Sequence, residues 1–322
     1  MKDYRGDIDG LRAIAVVGVI LCHLNFKFVS GGFLGVDIFF VISGYLITRI
    51  LEKFNNFQDL ILFYRRRVMR LLPCFILVVF TTVFIGMFLS LESIYLNTLK
   101  YAVFGHLFSV NWLLFYESSD YFDFNTNLKP LLHIWSLSIE EQFYFIAPII
   151  IIFLKRYYKF ILTLLFIFSL VHFLYFSNID KYYFSTFSRI WQIVLGSALV
   201  YLNITFENKY DNVIKNILLI FIVLTFFYLS ENNSIHGSLL ICVLTALFIS
   251  FKNTHCFINN KYFIYIGFLS YSLYLWHQPI IAYTRHLNGD ELSYYVKINL
   301  IIIIFVISQL SYKYVEKYFR LK

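Results

Sequence analysis

Long apolar runs, each close to the length of a membrane crossing, recur along the whole chain with short polar segments between them. A helix needs about 20 mostly apolar residues to cross the hydrocarbon, and no segment alternates as a barrel strand would, so the pattern predicts an all-α polytopic transmembrane helix bundle. The predicted crossings are 11–28, 33–51, 72–91, 139–154, 160–177, 187–204, 213–230, 235–251, 262–284 and 295–315. A weaker run, 99–116, would reverse every later loop if it crossed. Lys and Arg concentrate on the cytoplasmic side of membrane proteins. With the amino terminus inside and 99–116 not crossing, 20 of the 27 Lys and Arg fall inside; a full crossing would export most of the later ones, the basic carboxyl terminus included. The expectation is therefore about ten full spans, both termini cytoplasmic, and 99–116 as a re-entrant or interfacial element, all in a single membrane domain over 1–322. No internal repeat is visible, which disfavours the inverted-repeat transporter architectures.

Composition agrees with that reading. The 322 residues are 60% hydrophobic and only 14% charged, where soluble domains carry about 25% charge. Collagen, disulfide scaffolds and free-standing nucleic-acid modules are excluded. The net charge of +8 acts first as a topology signal. Cys22, Cys74, Cys242 and Cys256 lie in or beside apolar runs without CxxC spacing, so neither a disulfide nor a metal site is expected. Asp3, Asp7 and Asp9 precede the first run, which argues against a cleavable leader.

Ionisable residues at bilayer depth are costly, so each marks a candidate site. Arg12 and His23 stand eleven residues apart in DGLRAIAVVGVILCHL. Eleven residues is close to three helical turns, which puts both on one face, about 16.5 Å apart, the imidazole about halfway through the membrane. Asp9 reads as an N-cap for this helix. Asp37 in GGFLGVDIFFVISGYL could orient an imidazole or fix an arginine, and Gly31, Gly32 and Gly35 permit close backbone approach beside it. In HIWSLSIEEQFYF, at the outer mouth of the fourth crossing, Glu140 and Glu141 point about 100° apart, so one can be a catalytic or orienting carboxylate and the other a structural acceptor. His133 and Trp135 there also suit interfacial positions. Arg65, Arg66, Arg67 and Arg70, just ahead of the third span, suit bidentate phosphate binding and equally a stop signal or anionic-lipid contact. Arg189, Gly196, His277 and Pro279 complete the set, with a packing role favoured for His277.

Taken in order, YRGDIDGLRAIAVVGVILCHL, GGFLGVDIFFVISGYLI, FYRRRVMRLLP, PLLHIWSLSIEEQFYF, RIWQIVLGSAL, LSYSLYLWHQP and SYKYVEKYFR resemble the acyltransferase-3 family. These are bacterial integral-membrane O-acyltransferases that decorate surface glycans such as lipopolysaccharide O-antigen, usually with acetyl. The resemblance runs nearly end to end. It implies an essential Arg12 and His23, and a donor-facing Arg67 and Arg70. The family's closing motif usually reads Val-Glu-Arg-Pro-Phe-Arg, and here Lys317 and Tyr318 replace the middle pair. The chain stops after that motif, so a stand-alone enzyme, without the fused hydrolase-like domain of some members, or one with a separate extracytoplasmic partner, is expected.

The expected mechanism draws acyl-CoA, with acetyl-CoA as co-substrate, from the cytoplasm, its phosphates near Arg12 and the cluster Arg65, Arg66, Arg67 and Arg70. His23 acts as general base on an acceptor hydroxyl, or as nucleophile of a transient acyl-imidazole, the base being favoured. Asp37, Glu140 or Glu141 would hold the other ring nitrogen. The implied acceptor is a sugar hydroxyl of an envelope polysaccharide or lipid-linked oligosaccharide at the bacterial inner membrane, with the lipid bilayer and no nucleic acid as partner. The rival class is a carrier or flippase for a lipid-linked sugar, whose charges would line a path; it would yield no acetylated glycan.

Overall fold

The computed structural model describes residues 4–54, 56–122, 126, 128–176, 178–207, 209–252, 256–289 and 291–320. Asp3, and Ser177 at the end of one predicted run, lie outside them. Among the described residues the chain is helical throughout, with no strand beyond one isolated bridge between Phe206 and Phe251. Each of the ten predicted crossings coincides with a helix. Seven segments are long and apolar enough to cross a membrane. The helices that carry Arg12 and His23, Arg189 and Gln192, and Tyr271 to His277 are not among the seven: the first holds three charged residues, Asp7, Asp9 and Arg12, the second is only 16 residues long, and the third is rich in Tyr, Ser, His and Gln.

By packing, the chain divides into two compact units. The first gathers Met1–Lys53, Lys155–Ser177 and Phe187–Ser270; the second Phe54–Leu154, Asn178–Thr186 and Tyr271–Lys322.

The first unit opens with α1 (Gly6–His23), whose Asp7 and Asp9 sit in the first turn where the helix dipole favours acid. Its N-cap is Arg5, without a side-chain cap. The expected Asp9 cap is not formed: Asp9 lies inside the helix and accepts from the Tyr4 hydroxyl at 2.8 Å and from Arg12 at 3.5 Å. Asn25 adopts φ 54°, a left-handed conformation that Asn tolerates and that stops the helix. A 3-10 segment (Lys27–Leu34) leads into α2 (Gly35–Leu51). Then come α7 (Tyr158–Phe176), α8 (Thr186–Tyr201), α9 (Asp211–Tyr228), α10 (Ser234–Ser250) and the first part of α11 (Lys261–Asn288).

Small residues set the spacing here. A Cβ on Gly32 or Gly35 would meet the Gly18 or Ala15 carbonyl of α1, as expected of a glycine-lined approach. Where α2 crosses α8 the fit is reciprocal: Gly44 abuts the Ile193 carbonyl and Gly196 the Val41 carbonyl.

In the second unit, α3 (Phe57–Leu89) is 33 residues long and starts fifteen residues before the apolar run. A capping box begins it, Asn56 accepting from the Asp59 N–H at 3.0 Å and Asp59 from the Asn56 N–H at 3.2 Å. The weak run 99–116 is two short helices, α4 (Glu92–His106) and α5 (Val110–Tyr116), broken at Phe108 with φ 48°. Neither approaches the ~20 residues of a full crossing.

A polar knot fastens that broken element. Glu117 accepts from Lys100 at 2.7 Å, Lys129 at 3.2 Å and Tyr101 at 2.5 Å. Burial pushes the Glu117 carboxyl up, but these donors more than offset it and hold it below the usual carboxylate range. α6 (Ile134–Leu154) docks α5 through buried Asn111, which bonds Gln142 at 3.0 Å and Thr186 at 2.9 Å. The rest of α11 and α12 (Tyr294–Ser311), with a π turn at Tyr312–Glu316, complete this unit.

Candidate functional site

Within the first unit, α1 is unbroken from Arg12 to His23, so the eleven-residue spacing holds and both side chains share a face to within about 20°. His23 is buried, 7% exposed. His23 is the last residue of α1, because the helix starts at Gly6 and Asn25 ends it. Arg12 is half-buried.

Asp37, in the first turn of α2, fixes an arginine. Its Oδ1 accepts from Arg189 of α8 at 3.4 Å and from Gln192 at 3.0 Å, and its Oδ2 accepts from Ser238 of α10 at 2.6 Å. Arg189 and Gln192 are three apart on α8 and so reach the same carboxylate. The pair is enclosed, 3% and 4% exposed. Both Asp37 oxygens thus serve donors of α8 and α10.

The first unit also holds a buried charge cluster that hydropathy hides. Lys215 of α9, fully buried, donates to the Asp7 carboxylate and to the Phe251 carbonyl at 3.2 Å. Arg5 reaches Asp7 at 2.8 Å and the Ile249 carbonyl at 3.1 Å. These residues lie at the ends of apolar runs, where sequence counts them as loop charges. No signal in the sequence marks them as paired.

In the second unit the arginine cluster rides on α3 itself. Arg65 and Arg66 are exposed, whereas Arg67 and Arg70, three apart on one face, are half-buried. Arg67 donates from Nη2 to Glu141 Oε1 at 3.0 Å and from Nε at 3.2 Å, and Tyr64 donates to the Phe145 carbonyl at 2.6 Å. Tyr64 meeting Phe145 and Arg67 meeting Glu141 means that α3 and α6 run antiparallel.

This corrects one expected relation: the arginines and Glu141, expected at opposite ends of antiparallel spans, meet. Arg67 lies ten residues inside α3 and Glu141 thirteen residues from the end of α6, about 15 Å and 20 Å along the axes, so they share a depth. Hydropathy cut α3 at its first apolar residues, yet an arginine can bury its stem and stack its head.

The two acids diverge as their ~100° separation requires. Glu141 pairs with Arg67, while Glu140 accepts from the Tyr144 hydroxyl at 2.7 Å, one turn along. Tyr144, three residues after Glu141 and so on the same face, lays its ring against the Arg67 guanidinium, 3.3 Å from centroid to Cζ. Sequence reasoning missed Tyr144; the i, i+3 spacing from Glu141 was the available signal.

A second polar group surrounds α11. His277 donates from Nδ1 to the Tyr274 carbonyl at 2.6 Å, the packing role expected of it, and the Tyr274 hydroxyl bonds Ser136 at 2.6 Å. The His133 ring stands 5.3 Å from that of His277, edge to face. His133 and Trp135 are buried, 1% exposed, instead of interfacial; Trp135 packs against Phe184 and Tyr183. Cys74 lies 3.2 Å from Ser311, and Ser272 donates to buried Glu316 of the closing motif at 3.0 Å. No group of three metal-ligating side chains is found among the described residues.

Comparison with known proteins places this arrangement. O-acetyltransferase OatA of Staphylococcus aureus strain NCTC 8325 is 34% identical over 351 residues, covering 99% of this chain and 58% of its own length. A second protein, SAS0844 of Staphylococcus aureus strain MSSA476, carries a provisional O-acetyltransferase name and is 37% identical over 350 residues, covering 98% of this chain and 57% of its own. The chain thus spans a little over half the length of these relatives. No solved structure matches it. Residues 5–311 match the family described as acyltransferase domain, so the chain belongs to the acyltransferase-3 family, as its motifs had indicated.

Proposed function

We propose that the chain is an O-acetyltransferase of the bacterial cytoplasmic membrane, both termini facing the cytoplasm, that moves an acetyl group from acetyl-CoA to a sugar hydroxyl of an envelope polysaccharide or lipid-linked glycan. Supporting this reading are the family, the O-acetyltransferase names of the relatives, and above all one observation: a buried imidazole, His23, on the same helical face as Arg12 along an unbroken helix.

Each group has a stated task. Arg12, Arg67 and Arg70 meet anionic groups of the donor, where guanidinium forks bind phosphate bidentately. Neutral His23 takes the proton of the acceptor hydroxyl as its oxygen attacks the thioester carbonyl. The C–S bond then breaks, and the imidazolium returns its proton to the departing thiolate. The step needs a neutral ring at the outset. Glu141 sets Arg67 and Glu140 sets Tyr144, while Asp37 holds three helices of the first unit in register around the His23 element.

Mass spectrometry of surface glycan tests the reading. Cells carrying His23→Ala should make the protein at normal level in the membrane and leave their glycan unacetylated. Persistent acetylation overturns the assignment of His23.

A further inference from the structure

Arg67 spends its donors unevenly. Its Nε and Nη2 go to Glu141, and its face lies on the Tyr144 ring, while Nη1 donates to no group among the described residues. The Arg67 side chain keeps 19% exposure, so this edge is not sealed. A guanidinium held by one edge and one face has a single remaining edge, and its direction is fixed by the two groups that hold it. Both come from α6, and Tyr144 is itself restrained by its hydroxyl bond to Glu140.

We propose that Tyr144 is the positioning residue for Arg67, a platform that aims the Nη1 edge at an anionic group of the acyl donor. This rests on the reading that Arg67 meets acyl-CoA. The salt pair with Glu141 is neutral overall, so Arg67 contributes geometry, two N–H donors at a fixed angle. Without the ring, Arg67 keeps its carboxylate but can rotate about that contact. Donor binding then loses preorganisation, and the chemistry at the acyl carbon is untouched.

The test is steady-state kinetics of the full chain in nanodiscs, with acetyl-CoA varied against saturating glycan. Tyr144→Leu removes the aromatic face and should raise KM for acetyl-CoA about tenfold, in the range of a desolvated cation–π contact, with kcat within about twofold. Tyr144→Phe keeps the face and loses only the Glu140 bond, so its KM should rise no more than about twofold. Arg67→Ala combined with Tyr144→Leu should be no worse than Arg67→Ala alone, because the ring acts through the arginine.

The inference is overturned if Tyr144→Phe loses as much as Tyr144→Leu, if kcat falls at unchanged KM, or if the two losses multiply in the double variant. If Arg67→Ala by itself leaves KM unchanged, the donor-binding reading of Arg67 fails and this inference falls with it. Should Tyr144→Leu not insert, Tyr144→Phe still decides, since a tenfold rise there contradicts the platform.

Discussion

Each unit contains an arginine–carboxylate pair drawn from two helices, and the two differ in what they leave over. In the first, Asp37 is 4% exposed and Arg189 3%, and both carboxylate oxygens are used by donors from α8 and α10. In the second, Glu141 is 14% exposed and Arg67 19%, Arg67 stacks on Tyr144, and one guanidinium edge makes no bond among the described residues. The first is a clamp, with its polar capacity spent on holding helices. The second is held by Glu141 and Tyr144 on one edge and one face and keeps a partly exposed edge over.

Removing a partner from each pair is the sharpest way to break that comparison. Asp37→Ala strands a buried guanidinium and should cost about 3–5 kcal/mol. Arg67→Ala leaves a carboxylate that retains some water, and should cost under about 1.5 kcal/mol. Thermal unfolding of the detergent-solubilised protein reads the difference; equal losses of Tm would erase the distinction.

The α2–α8 crossing that carries the clamp offers a second test. Gly196→Ala inserts a methyl against the Val41 carbonyl and should cost about 2–3 kcal/mol by overpacking, with no compensating rotamer. An alanine tolerated there would mean that the crossing is looser than the structure has it.

On the open side, Arg67→Ala should raise KM for acetyl-CoA about 10- to 100-fold, the worth of one or two charge-assisted hydrogen bonds. The wild-type affinity should itself fall as salt rises, and the variant's should fall less steeply.

The smallest effect lies at the α4–α5 knot. Glu117 is held below the usual carboxylate range by Lys100, Tyr101 and Lys129, so its contribution is complete above the unfolded carboxylate value of about 4.3 and is lost as pH drops through the lower folded value. With solvent screening this amounts to under about 1 kcal/mol. Hydrogen-exchange protection over 100–120, taken relative to the intrinsic rate at each pH, should fall at acidic pH in the wild type, and Glu117→Gln should flatten that dependence.

What could be read from the sequence follows from the physics of each signal. Ten helix positions were legible because long apolar runs have no other solution in lipid. Their ends were not: α3 extends through four arginines to a capping box, and α1 stops at a left-handed Asn25, features that hydropathy does not weigh. The candidate site residues Arg12, His23, Asp37, Glu140, Glu141, Arg67 and Arg70 were nameable because each is an ionisable group within or next to an apolar run. Their pairings were not. Arg67 and Glu141 were assigned to opposite faces of the membrane, and Lys215 was counted as a loop cation although it is fully buried against Asp7. Tyr144 went unnoticed since one aromatic in 68 carries no signal until a cation is found on its face.

The central claim is that His23 moves the acceptor's proton during acyl transfer. Purified protein in nanodiscs, given radiolabelled acetyl-CoA and envelope glycan, tests it directly when wild type and His23→Ala are compared in a single turnover. The account predicts that the variant still binds acetyl-CoA and transfers label about 10²- to 10⁴-fold more slowly. Labelled glycan appearing from His23→Ala at the wild-type rate would contradict it.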